Sequence, residues 1–150
     1  MKEVNLTSYP FFNGMKREHI ALLSHHAIKE TFRANNYIFR EKKEASEFFL
    51  ILKGKISIEV ISPEGKQFSI QVLKQGDTLG WSWLIPPHEW RFSARAMEGI
   101  EVLTMDGKYL REKCKKDHDL GYELFRRLAG VFVQRLEATL RQLVEMYHAA

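Results

Sequence analysis

Residues 80–93 bring together groups suited to holding a small molecule. Gly80, Trp81, Ser82, Trp83 and Leu84 come first, and Trp90, Arg91, Phe92 and Ser93 follow a rigid stretch, Ile85-Pro86-Pro87-His88. All three tryptophans of the chain fall within this segment. Indole faces cover apolar or aromatic bodies, and a guanidinium binds an anion through charge-assisted hydrogen bonds. Small-molecule sites combine an apolar lining with a few such polar groups.

Six histidines and one cysteine are the other candidates for chemistry. His25 and His26 are adjacent, so on a helix they point about 100° apart and do not share an ion easily. His19 and His26 share a helical face, but no carboxylate completes a set there. His88 lies in the Pro-Pro stretch, and His118 and His148 stand alone. The expected strands hold no His, so no metal is assigned, nor haem through His25, His26 or His88. Cys114 and His118 share a helical face without an orienting acid, and a surface thiol is the simpler reading. A single cysteine excludes both an intramolecular disulfide and a paired-thiolate metal site. With no paired carboxylates, triad or metal set, the chain reads as a binding protein and not an enzyme.

The elements that must position residues 80–93 are read from periodicity. From Thr7 to about Thr31 the chain reads as short helices. Asn13-Gly14 marks a turn, Phe11 and Phe12 anchor the core, and Ile20, Leu22, Leu23 and Ile28 form an apolar stripe. From about Phe32 to Asp106 it reads as strands. Phe48-Phe49-Leu50-Ile51-Leu52 is an apolar run of strand length, closed by Lys53-Gly54-Lys55. Ile56, Ile58 and Val60 alternate with their neighbours, Ser62-Pro63-Glu64-Gly65-Lys66 makes a hairpin turn, and Phe68, Ile70 and Val72 alternate on the return. Gln75-Gly76-Asp77 is a further turn and Ile100–Met105 a further strand. Short strands of this kind build sandwiches, barrels or jelly rolls.

From Gly107 to Tyr147 the chain reads as helix. Ala129, Val133, Leu136, Leu140, Leu143 and Tyr147 follow a 4-3-4-3-4 spacing, the seam of a two-stranded coiled coil. Leu128, Phe132 and Val144 widen the stripe, so packing on the helix's own domain stands beside dimerisation. Composition agrees with one folded domain of 150 residues, 45% hydrophobic and 28% charged. No run approaches a membrane span, the start lacks a signal-peptide pattern, and the cytoplasm is the default compartment. The net charge of +4 comes from 23 basic and 19 acidic residues interleaved along the chain. Dispersed charge of that kind predicts a solvated surface more readily than a nucleic-acid footprint.

The order of helix, strands with a Gly-Asp turn and long helix resembles the cyclic nucleotide-binding domain of catabolite-activator-type bacterial regulators. Tyr37-Ile38-Phe39 with Phe48–Ile56 resembles the family's hydrophobic strand pair ending in a Gly turn, and Pro63-Glu64-Gly65-Lys66 its next hairpin. Gly76-Asp77-Thr78-Leu79-Gly80 resembles the Gly-Asp-x-x-Gly that opens its phosphate-binding cassette, with Arg95-Ala96 and Glu101-Val102 resembling the strands that leave it. The resemblance implies a mainly β α+β fold: a β-roll (double-stranded β-helix or jelly roll) with N-terminal helices and a long C-terminal helix. One domain then spans 1–150, with helices in 7–31, the roll in 32–106 and C-terminal helices in 107–147.

The cassette departs from the family pattern in two places. Trp81 stands where the family's ribose-binding Glu belongs, and Trp90 where its phosphate-binding Arg belongs. Arg91 comes one position later, which on a strand faces the opposite side unless a bulge shifts the register. A cyclic nucleotide is the ligand the resemblance implies, yet the groups that would hold it are replaced, and no cofactor is assigned. One reading is a remodelled pocket for an unidentified small molecule, formed by Gly80–Leu84 and Trp90–Ser93. The other is a pocket filled by its own aromatics in a structural or dimerisation unit. The expected assembly is a homodimer through Val133, Leu136, Leu140, Leu143 and Tyr147. Family members carry a helix-turn-helix after the long helix, and the sequence ends at Ala150 without one. The expectation is therefore no direct DNA binding by this chain, and either action through a partner or the ligand-sensing fragment of a transcription regulator.

Overall fold

The computed structural model describes residues 4–149; residues 1–3 and 150, which the single-domain expectation includes, lie outside them. Two single-turn 3-10 segments, Leu6–Ser8 and Pro10–Phe12, lead into α1 (Arg17–His25). Eight strands follow: β1 (Ile28–Phe32), β2 (Tyr37–Phe39), β3 (Glu47–Lys53), β4 (Ile56–Ile61), β5 (Gln67–Leu73), β6 (Thr78–Leu79), β7 (Ser93–Ala96) and β8 (Ile100–Asp106). The chain closes with α2 (Gly107–Lys116) and α3 (His118–Ala149). The strands pair antiparallel into two four-stranded sheets, ordered β1-β8-β3-β6 and β2-β7-β4-β5. This is the mainly β roll with flanking helices that the family resemblance implies.

The unbroken apolar run in β3 is explained by burial on both faces. Phe48 and Leu50 pack with Leu103 and Met105 of β8 into a core shared with the helices. Phe49 and Ile51 point the other way, into a second core between the sheets, with Phe39, Ile56, Ile58 and Val102. Burying each such side chain stabilises by about 1.5–3 kcal/mol, more than the ~1 kcal/mol that separates residues in strand propensity. The far face of the second sheet is polar. There Glu59, buried, accepts from Arg95 Nη2 at 2.6 Å.

The helical reading of the N-terminal zone to Thr31 runs too far. α1 ends at His25, and Ile28–Phe32 is an edge strand, pairing Ile28 with Thr104 and Phe32 with Ile100. Ile28 is 66% exposed and belongs to no helical stripe. Its segment finds hydrogen-bond partners along β8, which local spacing does not reveal. The alternation of Phe68, Ile70 and Val72 also marks a strand without marking a core face. A register shift falls between Ile58 and Glu59 in the β4–β5 pair, and Phe68 and Val72 are exposed on β5.

At the start of α2, Asp106 accepts from the backbone N–H groups of Lys108 and Tyr109, and Lys113, Lys115 and Lys116 sit in its last turn; both features favour the helix ends. Asp117 accepts from Leu120 N at 3.2 Å at the α3 start, a bond that holds its carboxyl below the usual carboxylate range, with help from His19. Leu120, Leu124 and Leu128 seat the first turns of α3 in the helix-side core. Beyond Phe132 the helix projects along the second sheet.

The tryptophans divide between the two cores. Trp83 is fully buried on the helix side against Phe48, and its Nε1 donates to Gly80 O at 3.1 Å. Trp90 lies between the sheets, stacked on Phe39 at 3.7 Å and 8°. Truncation of Trp90 to Ala is expected to cost about 3–5 kcal/mol, read from urea unfolding midpoints. Arg91→Ala, at an exposed neighbour, is expected to stay within about 0.5 kcal/mol. Equally small effects at both positions would show that Trp90 is not a core residue.

Candidate ligand site

A cleft of about 530 Å³ opens between the second sheet and α3. β4 and β5 supply its aliphatic floor through Ile58, Val60 and Ile70. The segment between β6 and β7 supplies Trp81, Ile85, Arg91 and Phe92, and α3 supplies Phe132, Arg135 and Thr139. The Trp81 ring meets Phe132 edge-on at 5.0 Å and Phe92 at 6.0 Å. Gln71 of β5 ties the sheet to the helix, donating to Arg135 O at 3.0 Å and Thr139 Oγ1 at 3.1 Å. Gln142 Nε2 donates to Ile70 O in the same manner.

Among the nine residues expected to contact a ligand, the structure places three at this cleft: Trp81, Arg91 and Phe92. The other six face elsewhere. Gly80 is buried with φ +91°, and a Cβ there would meet the Trp90 ring at 2.8 Å; Gly is what lets the indole approach. Trp83 and Leu84 pack in the helix-side core, and Trp90 in the core between the sheets. Ser82 is buried with its hydroxyl unpartnered. Ser93 is buried as well, and its Oγ accepts from Glu41 N at 2.9 Å.

Arg91 differs from its sequence reading. Strand parity would turn it away from a pocket that held Trp90. In the structure β7 begins only at Ser93, and the two side chains part company before it. Stacking draws the Trp90 indole inward to Phe39, and the next side chain reaches the cleft. There Arg91 Nη2 donates to Pro86 O at 3.2 Å, with the guanidinium carbon 5.2 Å from the Trp81 ring centre. A ring face attracts a cation at that range.

The sequence reading missed Phe132, Arg135 and Thr139 as cleft residues. Their spacing of three and four places them on one helical face, one residue out of phase with the 133-136-140-143 seam, which is the signal that was available. Arg135 Nη2 donates to Thr78 O, while Nη1 is buried without a partner. Burial lowers this guanidinium from its ordinary value to about 10, opposed by the nearby Asp77 carboxylate.

Among the described residues no three His, Cys, Asp or Glu side chains are placed to hold a metal ion. His19 is buried and bonds Glu123 through Nδ1, with Asp117 3.5 Å from its Nε2, a polar tie between α1 and α3. His25 and His26 lie edge to face at 5.0 Å, and His26 rests on Tyr109. Burial, with Asp117 nearby, pushes the Cys114 thiol up to about 11, so it stays protonated near neutral pH and is a weak nucleophile. Among the described residues no helix is long and apolar enough to cross a membrane.

Comparison with known proteins agrees with this architecture. The family model described as the cyclic nucleotide-binding domain matches residues 29–117. The Anaerobic regulatory protein of Bacillus subtilis is 25% identical over 124 residues, which are 82% of this chain and 52% of that protein. The CRP-like cAMP-activated global transcriptional regulator of Mycobacterium tuberculosis is 23% identical over 135 residues, 90% of this chain and 58% of that one. The chain thus spans about half the length of the curated relatives it matches. A solved structure from Geobacter metallireducens GS-15, assigned to the cyclic nucleotide-binding proteins, superposes with a TM-score of 0.81 at 26% identity, covering 91% of this chain and 98% of its own. With its matched roll, two sheets and closing helices, the chain belongs to the cyclic nucleotide-binding domain family.

Proposed function

We propose that the chain is a ligand-sensing regulatory module whose cleft does not take cyclic AMP in the family's usual way, and that it works as a dimer paired through α3. The burial of Trp90 against Phe39 carries the first part. A core indole occupies the position of the phosphate-binding Arg, and Trp81 replaces the ribose-binding Glu. A cyclic phosphate is costly to bury without a partner. Losing two charge-assisted hydrogen bonds weakens binding on the order of 10²–10⁴-fold. A second reading, a pocket filled by its own side chains, draws support from the edge-on contact of Trp81 with Phe132. The open cleft beside that contact favours a ligand instead.

The exposure of α3 supports pairing. Val133, Leu136, Leu140, Leu143 and Tyr147 are between 48% and 76% exposed, while the face beside them is tied to β5 and Thr78 by Gln71, Gln142 and Arg135. An apolar stripe of that length on a helix already anchored to its domain fits a second copy of the same helix. The curated relatives are named as regulators. In this segment the charges are dispersed, and it is not proposed to hold DNA sequence-selectively by itself.

Two measurements test this reading. Titration calorimetry with cyclic AMP and cyclic GMP is expected to show no micromolar binding. Micromolar binding that disappears in Arg91→Ala would mean that Arg91 has taken over the phosphate, and would overturn the first part. For assembly, light scattering should give a dimer for the native chain and a monomer for Leu140→Lys, which places an unpaired charge in the seam. A monomeric native chain, or an unchanged mass for the variant, sinks the α3 interface.

A further inference from the structure

We infer that the cleft between α3 and the second sheet takes an aromatic carboxylate, its acid group held by Arg135 and Arg91 and its ring lying against Trp81, Phe92 and Phe132. The inference rests on reading the cleft as a ligand site and adds the chemical class of the occupant.

Charge is the first ground. Arg91 and Arg135 are among the residues lining the cleft, and no Asp or Glu is. Arg135 keeps one nitrogen buried without a hydrogen-bond partner, an arrangement that is costly for a charged donor. Asp77 is the nearby carboxylate that acts on Arg135, and its Oδ2 accepts from Lys74 N at 2.9 Å. That nitrogen is covered in the present arrangement; once the Arg135 head turns from Thr78 toward the cleft, an incoming carboxylate supplies the acceptor that the protein leaves out. It would also oppose the burial that lowers this guanidinium.

The neutral part of the lining is the second ground, and it selects the body of the ligand. Gln71 and Thr139 are the neutral polar side chains lining the cleft, and Gln71 already donates both to Thr139 and to the helix backbone. A ribose or another polyhydroxy body would find few partners there, and unpaired polar groups oppose binding. Three rings at edge-on and tilted angles with branched aliphatics below them suit a flat hydrocarbon body. A cleft of about 530 Å³ lies within the range for compact organic ligands.

The test uses 1-naphthoate, with 1-naphthalenemethanol as its neutral counterpart, titrated calorimetrically into the full chain beside cyclic AMP. Naphthoate is expected to bind saturably and about 10–100-fold more tightly than the alcohol, the range for a hydrogen bond to a charged group. Arg135→Gln should abolish that preference, and Arg135→Lys should keep part of it. Because Arg135 also holds Thr78, Arg91→Gln at an exposed position provides a second variant, expected to weaken naphthoate several-fold while leaving the unfolding midpoint unchanged. Equal binding of acid and alcohol overturns the carboxylate and leaves the ligand-cleft reading standing. Binding of neither probe removes both. A preference for the acid that survives in Arg135→Gln and Arg91→Gln alike also overturns the inference.

Discussion

β3 is the wall that the rest of the molecule leans on. Its side chains alternate between two apolar compartments, Phe48 and Leu50 toward the helices and Phe49 and Ile51 toward the opposing sheet. A strand with both faces covered cannot slip by one residue without exchanging both sets of side chains. Its pairing with β8 and β6 therefore sets where each neighbour's side chains point. Trp83 finds Phe48 on one side of this wall, and Phe39 and Trp90 pack beyond Phe49 on the other. Removing two of the three indoles to the cores leaves Trp81 alone to face the cleft.

Gly80 stands at the parting of these indoles. Its positive φ and the 2.8 Å approach of the Trp90 ring leave room for no side chain. Its carbonyl also accepts from Trp83 Nε1. One residue thus accommodates the core on one side and ties down the core on the other. The segment between β6 and β7 has become an internal strut as well as a cleft wall. In the family pattern it holds a cyclic phosphate, whereas here most of its bulk serves packing. The cations that remain at the cleft are Arg91, freed by the inward turn of Trp90, and Arg135 from a distant helix.

α3 joins the cleft to the proposed interface. Its first turns are core, its middle supplies Phe132, Arg135 and Thr139 to the cleft, and its seam is exposed one residue out of phase. Gln71 and Gln142 bind it to β5. Helix and cleft cannot be rearranged independently, because the same turns line both.

Much of the architecture was legible in the residues themselves. Strand alternation in β4, the Gly-Asp turn before β6 and the apolar run of β3 are local patterns, and each appears where its spacing placed it. The ends and aims of elements were less so. Ile28–Phe32 became a strand because β8 offered it hydrogen bonds from some seventy residues away, and no local spacing records such a partner. The nine residues expected at the ligand site were chosen by type and proximity in sequence, and three of them face the cleft. Which indole turns inward depends on ring partners at Phe39 and Phe48, and Arg135 reaches the cleft only because α3 folds back along β5. Sequence determined the elements because their patterns repeat over a few residues. Tertiary structure decided the site because packing against distant partners, stronger than any local preference, sets the direction of each side chain.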